Sequence, residues 1–199
     1  QGHRDLGIHS GTIGDRVADL AEAGVITNAR KSIDAGISVT GLLMGTARTR
    51  RWAHHNNALR IAGTDYTHNA QVLGQIKNLV AINAAIEVDL TGQINAEVVA
   101  GKYLGAVGGA MDFLRAAANS EGGLPVVALP ATARGQSRIV AQLSGPVSTP
   151  RADAGLIVTE HGIADLRGLS LSQRVRAMIA IAAPEHREQL AASARQIPQ

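Results

Sequence analysis

At 199 residues, with 45% hydrophobic and 18% charged content, the chain has material for one good core or two small ones and the composition of an ordinary soluble globular domain, not of a disordered segment. No apolar run reaches the roughly 18 residues needed to span a bilayer, and Gln1-Gly2-His3-Arg4 shows no signal-peptide pattern, so neither a membrane nor export is indicated. The absence of cysteine excludes disulfides, thiolate metal sites and a cysteine nucleophile, fits a cytoplasmic protein, and leaves any covalent catalysis to oxygen or nitrogen.

Along the chain, short apolar runs alternate with helical patterns. Thr12 to Ala23 carries Ile13, Val17, Leu20 and Ala21 at helical spacing, and Gly24 stands where the glycine closing a helix belongs. Ser38 to Met44 reads as a strand, interrupted or ended by Gly41 and Gly45. The basic cluster Arg48-Thr49-Arg50-Arg51 then reads as a solvated loop. Lys31, Lys77 and Lys102 are the only lysines, so arginine carries most of the positive charge behind the net +3. Its planar fork of donors suits phosphates and carboxylates. Basic residues are otherwise scattered and only 2% of the chain is aromatic, which argues against nucleic acid and for an anionic small molecule bearing phosphates.

Asn69 to Lys77 reads as a short helix after a turn and cap at Tyr66-Thr67-His68-Asn69, and Leu79 to Leu90 as a strand-like run. A helix is predicted around Asp112 to Asn119, followed by buried-type strands at Pro125 to Leu129, Ser137 to Gln142 and Gly155 to Thr159. Ser170 can cap a helix with Gln173 three residues on, and Leu171, Val175, Met178, Ile179 and Ala182 form its apolar stripe. Pro184 is tolerated as the first residue of a final helix reaching about Arg195. Strands alternating with helices imply an α/β fold, an open sheet with helical cover. No repeat or low-complexity linker divides the chain, which reads as one domain.

Asn83 to Gln93 places two carboxylates inside an apolar, strand-like run. The period of two puts Ile86, Val88 and Leu90 on one face and Glu87 and Asp89 on the other. A half-solvated sheet face whose acids meet water or arginine accounts for this pattern. So does a nucleophilic or general-base carboxylate held on a rigid strand end. Asp89, two residues from Glu87, would raise the pKa of Glu87 if it stayed close, so Asp89 is expected to turn toward an amide or an arginine and to be structural.

Glycine is grouped at Gly105-Ala106-Val107-Gly108-Gly109, directly before a helical pattern, and Gly162 follows Thr159-Glu160-His161. Such turns leave amides free for an anion, and equally they satisfy backbone geometry. The seven histidines show no metal-ligand spacing, so no metal is expected. His9-Ser10-Gly11 lacks the first glycine of a serine nucleophile elbow.

Six blocks fall in one order: Asp5 to Gly11, Glu22 to Asn28, Ile86 to Gln93, Val107 to Phe113, Ser137 to Val140 and Val158 to Gly168. Together they resemble the C-terminal half of the acetyl-CoA hydrolase/transferase family, and the resemblance covers nearly the whole chain. It implies an α/β domain of the CoA-transferase type (NagB/RpiA-like), an open sheet flanked by helices, with the active site between this domain and a similar N-terminal one. It implies that Glu87 attacks an acyl-CoA thioester, passing through an acyl-glutamyl anhydride and a glutamyl-CoA thioester before a second carboxylate collects the acyl group. Gly108, Gly109 and Gly162 are implied to lie along the CoA and carboxylate pocket, where amides would hold the oxyanion. No permanently bound cofactor is implied, coenzyme A and acyl-CoA being substrates.

The resemblance has departures. Many members have glutamine where this chain has Ala110, close to the implied pocket, and His-Pro where it has Ala183-Pro184. The N-terminal partner domain of the family does not precede Asp5, so the chain is expected to fold but to be weakly active or inactive alone, with an apolar surface that favours a homo-oligomer, a homodimer first. Three functions are open: a CoA-transferase, an acyl-CoA hydrolase in which water takes the glutamyl intermediate, and a non-catalytic interaction domain. The enzymatic readings need Glu87 at the mouth of a crevice with its oxygens free.

Overall fold

The computed structural model describes residues 2–197, which pack as two compact units: one reaching to Asn78 and including Ser120–Gly122, the other formed by Leu79–Asn119 and the chain from Gly123 onward. A single domain is what the absence of a linker implies; the packing divides the chain where no linker stands.

The first unit runs β1 (His9–Ile13), α1 (Asp15–Glu22), β2 (Ser38–Leu43), α2 (Ala47–Ala53), β3 (Leu59–Ile61), α3 (Thr64–Thr67) and α4 (Ala70–Leu73). Its three strands are parallel in the order β1-β2-β3, with His9 opposite Val39 and Ser38 opposite Leu59, and a helix makes each crossover. Helix α1 starts at Asp15 and not at Thr12, because the residues before Gly14 are taken by pairing with β2. It ends as expected. Gly24 has φ +68°, its amide reaches the Ala21 carbonyl at 3.0 Å, and Val25 N reaches Leu20 O at 2.9 Å, the paired bonds of a glycine-closed helix.

The predicted loop at Arg48 to Arg51 is instead helical. Thr46 caps α2 through its side chain, and the Asp15 carboxylate accepts from the amides and hydroxyls of both Thr46 and Thr49. Arg48 then ties the helices together, with Nε 2.5 Å from Asp19 and Nη2 2.6 Å from Glu22. Asn69 caps α4 as expected, accepting from Gln71 N at 2.8 Å, although that helix stops at Leu73, short of Lys77.

Lys31 links the starts of β1 and β2, its Nζ donating to Ile8 O at 2.9 Å and Ile37 O at 2.6 Å. Burial pushes its ammonium down from 10.5 to about 8, with Asp34 opposing. Between those values the unfolded chain binds a proton that the folded chain has released, so stability rises with pH across that window; below about 8 the cost of the buried charge is fully present. Urea unfolding at pH values spanning this window should show that rise, and Lys31→Met should remove it. An identical pH profile in both proteins would refute the assignment.

The second unit contains β4 (Val80–Ala84), β5 (Glu87–Asp89), β6 (Ile94–Asn95), β7 (Val98–Val99), β8 (Lys102–Tyr103), α5 (Ala110–Asn119), β9 (Leu124–Ala128), β10 (Thr132–Ala133), β11 (Gln136–Ser137), β12 (Ile139–Val140), β13 (Leu156–Thr159), β14 (Gly162–Asp165), α6 (Leu171–Ile181) and α7 (Arg187–Ala194). The main sheet has the order β14-β13-β9-β4, with β4, β9 and β13 parallel and β14 antiparallel at one edge. Helix α5 packs on β4 and β9, completing a β-α-β unit, and α6 covers β13 and β14. A second sheet, β12-β5-β6, pairs Ile139 with Val88 and Glu87 with Asn95. Val88, Leu90, Ile94, Leu114, Ile139, Ile157, Leu166 and Met178 fill the unit's core.

Two predicted strands are corrected. Leu79 to Leu90 is broken at Ala85 and Ile86, so that β4 and β5 lie in different sheets. Ser137 to Gln142 is interrupted at Arg138, which bonds to Ala131 on one side and to Val88 on the other. The helix at Asp112 to Asn119 and the strands around Val126 and Ile157 stand where expected. Ser170 and Gln173 form the reciprocal capping box of α6. Pro184 opens a short 3₁₀ turn, Pro184–His186, that leads into α7. The alternation of parallel strands and helices makes this an α/β fold with open sheets flanked by helices. No helix among the described residues is long and apolar enough to cross a membrane.

Candidate active site

Glu87 is the first residue of β5, and only 5% of it is exposed. Its Oε1 accepts from Ser144 N at 2.7 Å, Ser144 Oγ at 2.9 Å and Asn95 Nδ2 at 3.0 Å. Oε2 receives only a share of the Ser144 hydroxyl, at 3.1 Å. Among the described residues no cation lies within ion-pair distance of it. The expected position at the mouth of a crevice, with free oxygens, is therefore corrected. The chain around Ser144 closes over the carboxylate, and neutral donors replace the water an exposed acid would use.

Asp89 is equally buried and, as expected, faces amides. Its Oδ1 accepts from Thr91 N at 2.8 Å, Thr91 Oγ1 at 2.7 Å and Gln93 N at 3.0 Å, and Oδ2 accepts from Gln93 Nε2 at 2.7 Å. These bonds brace the turn between β5 and β6, where Gly92 adopts φ +97°. The alternation that assigned Glu87 and Asp89 to a polar face misses that β5 is buried on both faces, between β12 and β6 and under the surrounding loops.

The three glycines lie at one end of the main sheet. Across it, Ala84, Ala128 and Val158 are in register, and Thr159 pairs with Gly162. This row is the C-terminal rim of the parallel strands, the side on which open α/β sheets bind ligands. The chain leaves the rim at Ala84 and reaches Glu87 three residues later. Helix α5 runs back along the sheet before β9, so its N-terminal end, preceded by Gly108 and Gly109, meets the same rim. Neither glycine donates its amide to another group of the described chain, and Gly108 has φ +58°. Gly162 has φ +149° and begins β14, three strand spacings from β4 or roughly 14 Å across the sheet. The rim thus gathers these positions without bringing Gly162 into contact with Glu87.

Ser144 and Asn95 escape a reading of the sequence alone. Asn95 is fully buried and joins Glu87 to the following turn, its Nδ2 donating to Val98 O at 2.7 Å and its Oδ1 accepting from Glu97 N at 3.0 Å. Glu97, also buried, accepts from Ser148 Oγ at 2.7 Å. The only local hint is the turn composition of Ser144-Gly145-Pro146, which says nothing of the acid 57 residues away that it covers. Among the described residues no three His, Asp or Glu side chains are grouped to hold a metal ion.

An α/β fold with a parallel sheet rim and a buried acidic strand beside it defines the class. The chain belongs to the family described as acetyl-CoA hydrolase/transferase C-terminal domain, which it matches over residues 45–194. It is 40% identical over 191 residues to the 4-hydroxybutyrate coenzyme A transferase of Clostridium kluyveri, covering 94% of this chain and 44% of that protein. Among solved structures, RipA from Yersinia pestis superposes with a TM-score of 0.93 at 38% identity, over 98% of this chain and 45% of that one. The 4-hydroxybutyrate CoA-transferase of Porphyromonas gingivalis superposes with a TM-score of 0.85 at 35% identity, over 98% and 46%. The chain therefore spans less than half the length of these relatives.

Proposed function

We propose that the chain is the C-terminal half of a cytoplasmic CoA-transferase that moves CoA between an acyl-CoA and a small carboxylate. The observation that carries this reading is the 40% identity over nearly the whole chain to a relative named for that reaction. In the reaction a carboxylate oxygen attacks the thioester carbonyl and CoA leaves as thiolate, forming a mixed anhydride. The thiolate then attacks the enzyme's carbonyl, giving an enzyme-CoA thioester and freeing the first acid. A second carboxylate reverses both steps. Glu87 is proposed as the attacking group, with Oε2 as its less engaged oxygen, and the amides of Gly108, Gly109 and Gly162 as donors along the pocket. Ser144 must move aside for that attack.

The burial of Glu87 favours a second reading, in which it anchors the Ser144 segment and the nucleophile is another residue. Mass spectrometry of the protein joined to its N-terminal half, after incubation with acyl-CoA and borohydride, separates the two: label on Glu87 supports attack by that residue, and label elsewhere removes it. The family also embraces hydrolases, in which water takes the intermediate; CoA release that does not depend on added acetate would establish hydrolysis.

One face of the main sheet supports the need for a partner domain. Val80, Ile82 and Ile163 are 47%, 70% and 65% exposed on it, and Val126, Leu156 and Val158 are half-exposed beside them. With one wall the site stays wet, so turnover by this chain alone should fall at least about 10³-fold below that of a two-domain relative. A CoA-transfer assay showing comparable rates would overturn this.

A further inference from the structure

We propose that the exposed face of α2 is a binding site for a small diphosphate-bearing anion, an inference that stands apart from the catalytic reading. From Ala35 to Thr64 there is no aspartate or glutamate, while Arg48, Arg50, Arg51 and Arg60 lie within the segment. These four charges exceed the chain's net +3, leaving −1 for the rest. Two of them are neutralised locally: Arg48 by Asp19 and Glu22, and Arg60 by Asp34 at 3.4 Å. Among the described residues the side chains of Arg50 and Arg51 make no ion pair or hydrogen bond.

Helical spacing gathers these unneutralised groups. Ala47, Arg50, Arg51 and His54 recur at three- and four-residue intervals and line one shallow, largely open surface. The His55 ring lies 4.0 Å from that of His54 at the same end, tilted by 58° to it. Basic residues in a last turn are ordinarily explained by the helix dipole. That end carries only about half a negative charge, which cannot balance two guanidinium groups in one helical turn. The first turn is already satisfied by Thr46 and Asp15, so the site is one of side chains. Two planar forks and an imidazole on one shallow surface suit an anion with oxygens on two linked centres.

Trp52, the single tryptophan, follows Arg51 directly and provides a reporter. Equilibrium dialysis of labelled inorganic pyrophosphate against the whole chain at low salt, with Trp52 fluorescence in parallel, should show saturable binding that added salt weakens. Arg50→Gln/Arg51→Gln should bind about tenfold more weakly or not at all. Arg176→Gln/Arg195→Gln, which removes the same charge from the second unit, should bind like the unaltered chain. Competition by CoA but not by pantetheine would assign a nucleotide's diphosphate as the source, and no competition by CoA would assign the free ion. No saturable binding to the unaltered chain, or equal binding by all three proteins, overturns the proposal; circular dichroism confirms that each is folded.

Discussion

Glu87→Ala is expected to destabilise the second unit by about 3 kcal/mol, lowering the midpoint of thermal unfolding by roughly 10 °C. Three donors converge on Oε1, and alanine strands them unequally. Asn95 Nδ2 keeps its second bond to Val98 O, and the Ser144 hydroxyl can rotate, but the Ser144 amide loses its acceptor inside a buried site. Glu87→Gln should cost only about 1 kcal/mol. Glutamine retains the Oε1 acceptor, and its amide nitrogen replaces Oε2, where the Ser144 hydroxyl can accept as well as donate. The glutamine variant thus separates the two readings of this acid. As an anchor, Glu87 can be replaced by glutamine with little loss of fold and no necessary loss of transfer. As the nucleophile, the same change leaves stability near normal and removes the covalent intermediate. Chemical denaturation of both variants, set beside transfer by the two-domain protein, decides between them; an alanine variant as stable as the unaltered chain would show that the carboxylate anchors nothing.

What the sequence reveals here is set by how far each determinant lies from its consequence. Gly24, Asn69 and the Ser170 and Gln173 pair act within one helical turn, so their roles are legible from neighbouring residues. The apolar runs around Val126 and Ile157 likewise announce buried strands. Helix α2 is different. Its start depends on the carboxylate of Asp15, 31 residues before the Thr46 amide it bonds, and its arginine-rich composition alone resembles a solvated loop. The break between β4 and β5 is also non-local. Nothing in Ala85-Ile86 forbids a continuing strand, and the two halves part because one pairs with β9 and the other with β12. Family resemblance points to the acidic block, yet the environment of Glu87 depends on Ser144, which no periodicity connects to it.

Asp89→Ala should be at least as damaging as Glu87→Ala, costing about 3 to 5 kcal/mol, because two of the four donors on Asp89 are backbone amides that cannot rotate away. The amides of Thr91 and Gln93 belong to the turn that reverses the chain between β5 and β6, and the Asp89 backbone carbonyl already accepts from Gly92 at 3.0 Å. The side chain therefore has no substitute within the turn. Asp89→Asn should be mild, about 1 kcal/mol, since Oδ1 keeps its three donors and the Gln93 amide can flip to present its oxygen to the new Nδ2. The contrast between alanine and asparagine, measured by urea unfolding, tests whether the acid works through its hydrogen-bond geometry. Equal losses in both variants would instead mean that the negative charge itself is required at the turn. Hydrogen exchange at the Thr91 and Gln93 amides offers a local readout: protection should collapse in Asp89→Ala and persist in Asp89→Asn, whereas an effect confined to global stability would leave the two amides no more exposed than their neighbours in β5.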